Sequence, residues 1–76
     1  MQNNLIDQLS PRELEVLVLI SEGNSREAIS SLLNISKYTY DDHRKNIRMK
    51  LQIKNSADWA RVVYLVSQSK PGKERI

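Results

Sequence analysis

The fold of this chain is decided by residues 36–51, which read SKYTYDDHRKNIRMKL. Ser36 is a favourable N-cap, because a serine hydroxyl can accept a hydrogen bond from the free N–H groups of a first helical turn. Apolar side chains then recur at helical spacing at Tyr40, Ile47 and Leu51. The stretch therefore predicts a helix with one buried face and an exposed face rich in lysine and arginine.

A shorter helix is predicted immediately before this one. Asn24 and Ser25 begin it, and Asn34 can end it because asparagine tolerates the left-handed conformation. Its buried face is predicted to contain Ala28, Ile29, Leu32 and Leu33. With only three or four residues between them, the two helices must cross at a steep angle, which is typical of a helix-turn-helix motif.

Two further helices complete an all-α domain of four helices. Ser10, Pro11 and Glu13 form a capping box with proline at the first helical position, and Gly23 ends the helix that follows. Its apolar face is predicted to contain Leu14, Leu17, Val18 and Ile20, with Glu13, Glu15 and Glu22 away from that face or at its edge. Ser56 is the predicted cap of the fourth helix.

The fourth helix carries more apolar residues than a single face of a small helix needs. One stripe contains Trp59, Val62, Val63 and Val66. Trp59 either seals the core or belongs, with its neighbours, to a symmetric dimer patch. We predict a dimer interface at these four residues, with Trp59, Val62 and Val66 shared between that interface and the edge of the core.

Length and composition limit the class of protein. The 76 residues form one small domain, predicted at residues 9–68 between a flexible lead, 1–8, and a polar tail, 69–76. The chain has no cysteine and one histidine, so no disulfide, metal site or cofactor is expected. No apolar run reaches membrane-spanning length. No nucleophile–base pair or phosphate loop is present either, so we predict that the protein is not an enzyme. The absence of cysteine suits a reducing compartment, and we predict a cytoplasmic protein.

The basic residues are concentrated in one segment. Between residues 36 and 54, six lysine and arginine residues stand against two aspartates, whereas the rest of the chain has six basic and seven acidic residues. A basic helix on a nearly neutral body is typical of a phosphate-binding face. A solvated helix surface would show a similar excess, since lysine and arginine are good helix formers, so charge alone leaves both interpretations open.

Several segments, in order and at matching spacing, resemble the LuxR/GerE-type helix-turn-helix domain of bacterial transcriptional regulators. Residues 9–17, LSPRELEVL, match the family's opening pattern L-[ST]-x-R-E-x-E-V-L. The resemblance continues through residues 22–25, 29–39 and 43–53. It implies a four-helix domain whose second and third helices bind DNA and whose fourth often contributes to a dimer. Such domains usually lie at the C-terminus of a longer protein. Met1 with a short polar lead favours a stand-alone protein here, but an excised C-terminal domain would have much the same sequence, so both alternatives stay open.

The resemblance also implies that the third helix enters the major groove of double-stranded DNA. The predicted DNA-binding residues are Ser36, Lys37, Tyr38, Thr39, Asp41, Asp42, Arg44, Lys45, Arg48 and Lys50, with Lys54 as a further phosphate ligand. Lys50 could equally pack its stem along the core, and His43 is expected to be structural rather than chemical. The expected partners are DNA and a second copy of the chain, with a larger regulator or RNA polymerase as further candidates.

Asp41 and Asp42 depart from the family pattern, because their positions often carry lysine or another residue suited to the groove. A carboxylate there could accept from the cytosine N4 amino group and favour C·G pairs. Alternatively, the helix dipole and pairs of Asp41 with Arg44 or Lys45, and of Asp42 with Lys45, could neutralise the two charges. The sequence leaves both roles open. If the acidic charge prevents tight DNA binding, the chain would instead be an interaction module that heterodimerises with another regulator through its fourth helix.

Overall fold

The computed structural model describes residues 5–69, and within that range it contains helices and no strand. A short 3-10 helix, Leu5–Gln8, precedes four α-helices. These are α1 (Pro11–Ser21), α2 (Arg26–Leu33), α3 (Lys37–Lys50) and α4 (Ser56–Ser69). The prediction of an all-α fold with four main helices is confirmed.

The three serines predicted to begin the first three helices all act as N-caps. The hydroxyl oxygens of Ser10, Ser25 and Ser36 accept from the backbone N–H groups three residues later, at 3.1, 3.0 and 3.0 Å. At α1 the arrangement is reciprocal, since Glu13 Oε1 accepts from the Ser10 N–H at 3.0 Å. Each cap satisfies a donor that the helix itself leaves free, so short local sequences fix where these helices begin.

The cap of α4 is Asn55 rather than Ser56. Asn55 Oδ1 accepts from the Asp58 N–H at 2.9 Å, and Asp58 Oδ2 accepts from the Lys54 N–H at 3.1 Å. Ser56 is instead the first residue of the helix. The predicted cap is wrong by one residue, because an asparagine oxygen caps a helix as well as a serine hydroxyl does.

Asn34 fixes the turn between α2 and α3. It adopts the predicted left-handed conformation, with φ 56° and ψ 48°, and the Ile35 N–H donates to the Ser30 carbonyl at 2.9 Å. Only residues 34–36 separate the two helices. The helix-turn-helix geometry therefore follows from a left-handed asparagine and, two residues later, a serine cap.

The core lies where α1 packs against α3 and α4, and α2 closes one side. Among residues 5–69 its buried apolar side chains are Val16, Leu17, Ile29, Tyr40, Ile47, Leu51 and Val66. Tyr40 and Ile47 supply the inner face of α3, as their spacing predicts. Because this inner face packs into the core, the opposite face of α3 is left to solvent.

The buried face of α2 differs from the predicted one. Leu32 is 63% exposed, whereas Ser30 is buried beside Ile29. The Ser30 hydroxyl donates to the Arg26 carbonyl at 2.8 Å, so it keeps a hydrogen-bond partner although it is buried. A serine bonded in this way can occupy a core position, and the prediction that Leu32 is buried is wrong.

Two features near the N-terminus also differ from expectation. On α1, Leu14 is 37% exposed and Val16 is buried instead. Ile6, from the 3-10 helix, packs against the core, so residues 5–8 belong to the folded domain although the sequence assigns them to a flexible lead. The predicted tail, 69–76, lies outside the described residues except for Ser69, the last residue of α4.

Candidate nucleic-acid interface

The side of α3 that faces away from the core carries four exposed side chains in a row. Tyr38, Asp42, Lys45 and Met49 follow one another at intervals of one helical turn, and all four are exposed. Tyr38 and Met49 are 83% and 65% exposed, although both have large apolar surfaces. This outer row is therefore open to a partner.

The two charged members of the outer row are unpaired. Neither the Asp42 nor the Lys45 side chain makes a hydrogen bond or an ion pair within residues 5–69. The expected pair between them is not formed. Both side chains therefore keep their full hydrogen-bonding capacity for a ligand.

Asp41 lies beside the outer row and is bonded to α2. Arg26 Nε donates to Asp41 Oδ1 at 3.0 Å, and Arg26 Nη2 donates to Oδ2 at 2.9 Å. These hydrogen bonds hold the pKa of the Asp41 carboxyl below its ordinary value. The expected ion pairs with Arg44 or Lys45 are absent, because a guanidinium on α2 meets both carboxylate oxygens at once.

A second ion pair joins α2 to the start of α3. Lys37 Nζ lies 3.3 Å from Glu27 Oε2, and both side chains are well exposed. In the adjacent cap the Ser36 hydroxyl donates to Thr39 Oγ1 at 3.1 Å. The side chains of Ser36, Lys37 and Thr39 therefore lie together at the N-terminal end of α3. Each makes a hydrogen bond or an ion pair within the domain.

Lys50 points to the core side of the domain. Its Nζ lies 2.7 Å from Glu13 Oε1, and the Glu13 side chain is only 7% exposed. Burial disfavours the charged form of Glu13, but hydrogen bonds from Lys50 and Ser10 outweigh it and lower the pKa of the carboxyl. This geometry favours the alternative in which Lys50 stabilises the fold, and it places Glu13 inside the domain rather than at the edge of an exposed face.

Arg44 is held in place by an aromatic side chain of α4. Its guanidinium carbon lies 4.7 Å from the centre of the Trp59 ring, a cation–π distance, and its Nε is buried without a hydrogen-bond partner. Arg44, Arg48 and Lys54 line a cleft of about 360 Å³ beside the start of α4. The structure therefore gathers three predicted phosphate ligands, and none forms an ion pair within the described residues.

The predicted dimer interface on α4 overlaps with the core. Three of its four residues pack in or against the core, namely Val66, Trp59 and Val62. Val63 is half-buried. The solvent side of α4 instead exposes Tyr64 and Leu65, at 62% and 53%. This overlap follows from the size of the domain, since a small core needs the inner stripe of α4 to close it.

Sequence reasoning missed two residues of this surface, Arg26 and Met49. Arg26 lies outside the basic segment, and only the crossing of α2 over α3 brings it to Asp41. Met49 could have been found, because it lies one helical turn beyond Lys45 on the same face.

The described range contains no candidate metal-binding cluster and no candidate membrane-spanning helix. Among residues 5–69, no three histidine, cysteine, aspartate or glutamate side chains are grouped so that they could hold a metal ion. None of the helices described there combines the length and apolar content needed to cross a bilayer.

Comparison with known proteins identifies the family. The pattern of the bacterial regulatory proteins of the luxR family matches residues 7–63. The chain is 43% identical over 51 residues to the transcriptional regulatory protein MctR of Rhizobium johnstonii, a match that covers 67% of this chain and 24% of that protein. It is 46% identical over 48 residues to the transcriptional activator protein CarR of Pectobacterium carotovorum subsp. carotovorum, covering 63% of this chain and 20% of that protein.

A third relative is the uncharacterized response regulatory protein YgeK of Escherichia coli, 40% identical over 47 residues, which cover 62% of this chain and 32% of that protein. The matched segments thus span between 20% and 32% of these relatives. No solved structure matches the chain. Since the family pattern runs from the 3-10 helix into α4 over the helices just described, the chain belongs to the luxR family of bacterial regulatory proteins and carries its helix-turn-helix domain.

Proposed function

We propose that this chain binds double-stranded DNA with sequence preference, as the DNA-binding unit of a bacterial transcriptional regulator, and that α3 enters the major groove. The observation that carries the proposal is the outer row of α3, which is open to solvent and has unpaired cations beside it. The major groove admits an α-helix, and the second helix of a helix-turn-helix motif is the one that reads bases. Membership of the family supports the same assignment.

The outer row offers a varied set of contacts to base edges. Lys45 can donate to guanine O6 and N7, which is the commonest specific contact in the major groove. Asp42 is unpaired and can accept from the cytosine N4 amino group, whereas Tyr38 and Met49 can contact thymine methyl groups. One donor, one acceptor and two apolar surfaces are enough to distinguish several base pairs.

The phosphate contacts would come from both ends of α3. Lys37 lies at the N-terminal end, and its exposed pair with Glu27 is of a kind that contributes little, so a phosphate can replace Glu27. Arg44, Arg48 and Lys54 form the second group, at the cleft near α4. Lys50 is not included, because Glu13 already binds it inside the domain.

We further propose that two copies associate through the solvent side of α4, around Tyr64 and Leu65. A symmetric dimer would place its two α3 helices in successive major grooves on one face of the DNA, about 34–36 Å apart. The Tyr64→Glu variant should then be monomeric in sedimentation velocity at concentrations where the wild-type protein dimerises. A wild-type protein that stays monomeric on DNA with two half-sites would exclude this interface.

DNA binding is tested by titrating a labelled duplex of random sequence at several salt concentrations. With these four phosphate contacts, the logarithm of the association constant should fall with the logarithm of salt concentration, with a slope of about −4 for each bound chain. Arg48→Gln should reduce the magnitude of this slope by about 1. The matched control is Arg12→Gln, since Arg12 is an exposed cation on α1 already paired with Glu15, and it should leave the slope unchanged.

Absence of binding at the lowest salt concentration would contradict the proposal and favour the interaction module. The structure weakens that rival, because Arg26 neutralises Asp41 and leaves Asp42 as the unpaired carboxylate of the outer row. One unpaired carboxylate near several cations opposes DNA binding less than two unpaired carboxylates would.

A further inference from the structure

Arg26 and Asp41 form the most specific polar contact between the two helices of the motif. Arg26 is the first residue of α2, and Asp41 lies on α3 one helical turn after Lys37. The guanidinium meets the carboxylate with two hydrogen bonds, at 3.0 and 2.9 Å. The side chains are 48% and 50% exposed, so the pair lies at the surface beside the outer row rather than in the core.

The pair leaves part of the guanidinium available. Arginine has five N–H donors in a rigid fork, and Asp41 uses two of them, one on Nε and one on Nη2. The other three have no acceptor within residues 5–69. Both Asp41 oxygens, by contrast, already accept from Arg26, so this carboxylate is poorly placed to read a base.

The position of Arg26 suits a phosphate at the edge of the groove. In a helix-turn-helix motif the first helix crosses the DNA backbone while the second lies in the groove. Arg26 stands at the start of that first helix, and its bond to Asp41 places its guanidinium against the flank of α3. Guanidinium groups are well matched to phosphate oxygens.

We propose that Asp41 is a positioning residue, which holds the Arg26 guanidinium at the flank of α3 so that its remaining N–H groups bind a backbone phosphate. This inference rests on the proposed function, because it concerns the same DNA complex. It assigns Asp41 and Asp42 different roles although they are adjacent, with Asp41 acting through an arginine and Asp42 facing the bases directly.

The inference predicts an effect opposite in sign to that of simple charge repulsion. If Asp41 only brings negative charge near DNA, Asp41→Asn should strengthen binding. If Asp41 positions Arg26, the same variant should weaken binding although it removes a negative charge. Asp42→Asn is the matched control, since it removes the same charge from the next residue, which has no partner within the described range.

The experiment measures the affinity of the whole chain for a duplex of random sequence across a range of salt concentrations. Arg26→Gln should weaken binding roughly five- to tenfold at about 0.1 M salt and reduce the salt slope by about 1. Asp41→Asn should weaken it roughly two- to fivefold, and the double variant should bind no more weakly than Arg26→Gln alone. Asp42→Asn should strengthen it, because an unpaired carboxylate is removed from the interface.

The salt slope separates positioning from a general loss of structure. A variant that is partly unfolded has fewer active molecules, but the molecules that bind make the same phosphate contacts and show the same slope. Thermal unfolding of each variant shows directly whether the fold is kept.

Tighter binding by Asp41→Asn, or an unchanged slope in Arg26→Gln, would overturn the inference while leaving the proposed function in place. A wild-type chain with no affinity for DNA at low salt would overturn both.

Discussion

Replacing Lys50 with methionine is expected to lower the free energy of unfolding by about 2–3 kcal/mol at neutral pH. The change removes the partner of a nearly enclosed carboxylate, since the Glu13 side chain is 7% exposed. Breaking a buried ion pair costs about 3–5 kcal/mol when the other charge is left behind, and the partial exposure of Lys50 reduces this value. The loss is large for a domain whose total stability is expected to be about 5 kcal/mol.

The loss is measured by urea unfolding followed by circular dichroism. The matched control is Lys45→Met, which removes a lysine of the same helix that has no partner within residues 5–69. That variant should change the free energy of unfolding by less than about 0.5 kcal/mol. Equal losses in the two variants would contradict the structural role assigned to Lys50.

The same ion pair makes stability depend on pH in the acid range. The pKa of Glu13 lies below its ordinary value of 4.5, so its contribution to stability is present above pH 4.5 and is lost as pH falls through the lower, folded pKa. Without Lys50, burial acts against fewer hydrogen bonds and the pKa of Glu13 rises. The difference in stability between wild type and Lys50→Met should therefore narrow as acid protonates Glu13, and a difference that widens would contradict this assignment.

Replacing Lys45 with alanine is expected to weaken binding to the preferred DNA sequence by about 1–3 kcal/mol, or roughly 5- to 150-fold. Lys45 is the cation of the outer row, and it has no competing partner among the described residues. Losing a contact to a base edge should also relax the base preference at one position. Selection of bound sequences from a random pool, for wild type and variant, measures both effects.

Arg48→Ala provides the comparison, because Arg48 lies on the same helix but at the cleft near α4. A residue that binds phosphate should weaken binding to all sequences by a similar factor and leave the selected sequence unchanged. If Lys45→Ala behaves in that way too, Lys45 is a phosphate ligand rather than a base reader.

The elements of this fold that depend on neighbours in sequence could be predicted. Serine caps at Ser10, Ser25 and Ser36, and the left-handed Asn34, act over three or four residues, so a single sequence contains all the partners they need. The exposed row of α3 follows in the same way from the spacing of Tyr40 and Ile47, which fixes the opposite face.

Features that depend on how the helices cross could not be predicted. Asp41 has cationic neighbours on its own helix, and only the packing of α2 against α3 shows that Arg26 is its partner. Ser30 is buried because its hydroxyl bonds to its own helix, while the larger and more apolar Leu32 is exposed. Hydrophobicity alone ranks these two positions in the wrong order.

The outer row of α3 is the surface proposed to contact DNA, and every other proposed contact is placed relative to it. The direct measurement is an NMR titration of the isotope-labelled chain with a duplex at low salt. If the outer row contacts DNA, the largest chemical-shift changes should occur at Tyr38, Asp42, Lys45 and Met49, with smaller ones at Arg26 and Lys54. Shifts centred on the groove between α1 and α2 that exposes Leu14 and Leu32, or no shifts at all, would contradict this proposal.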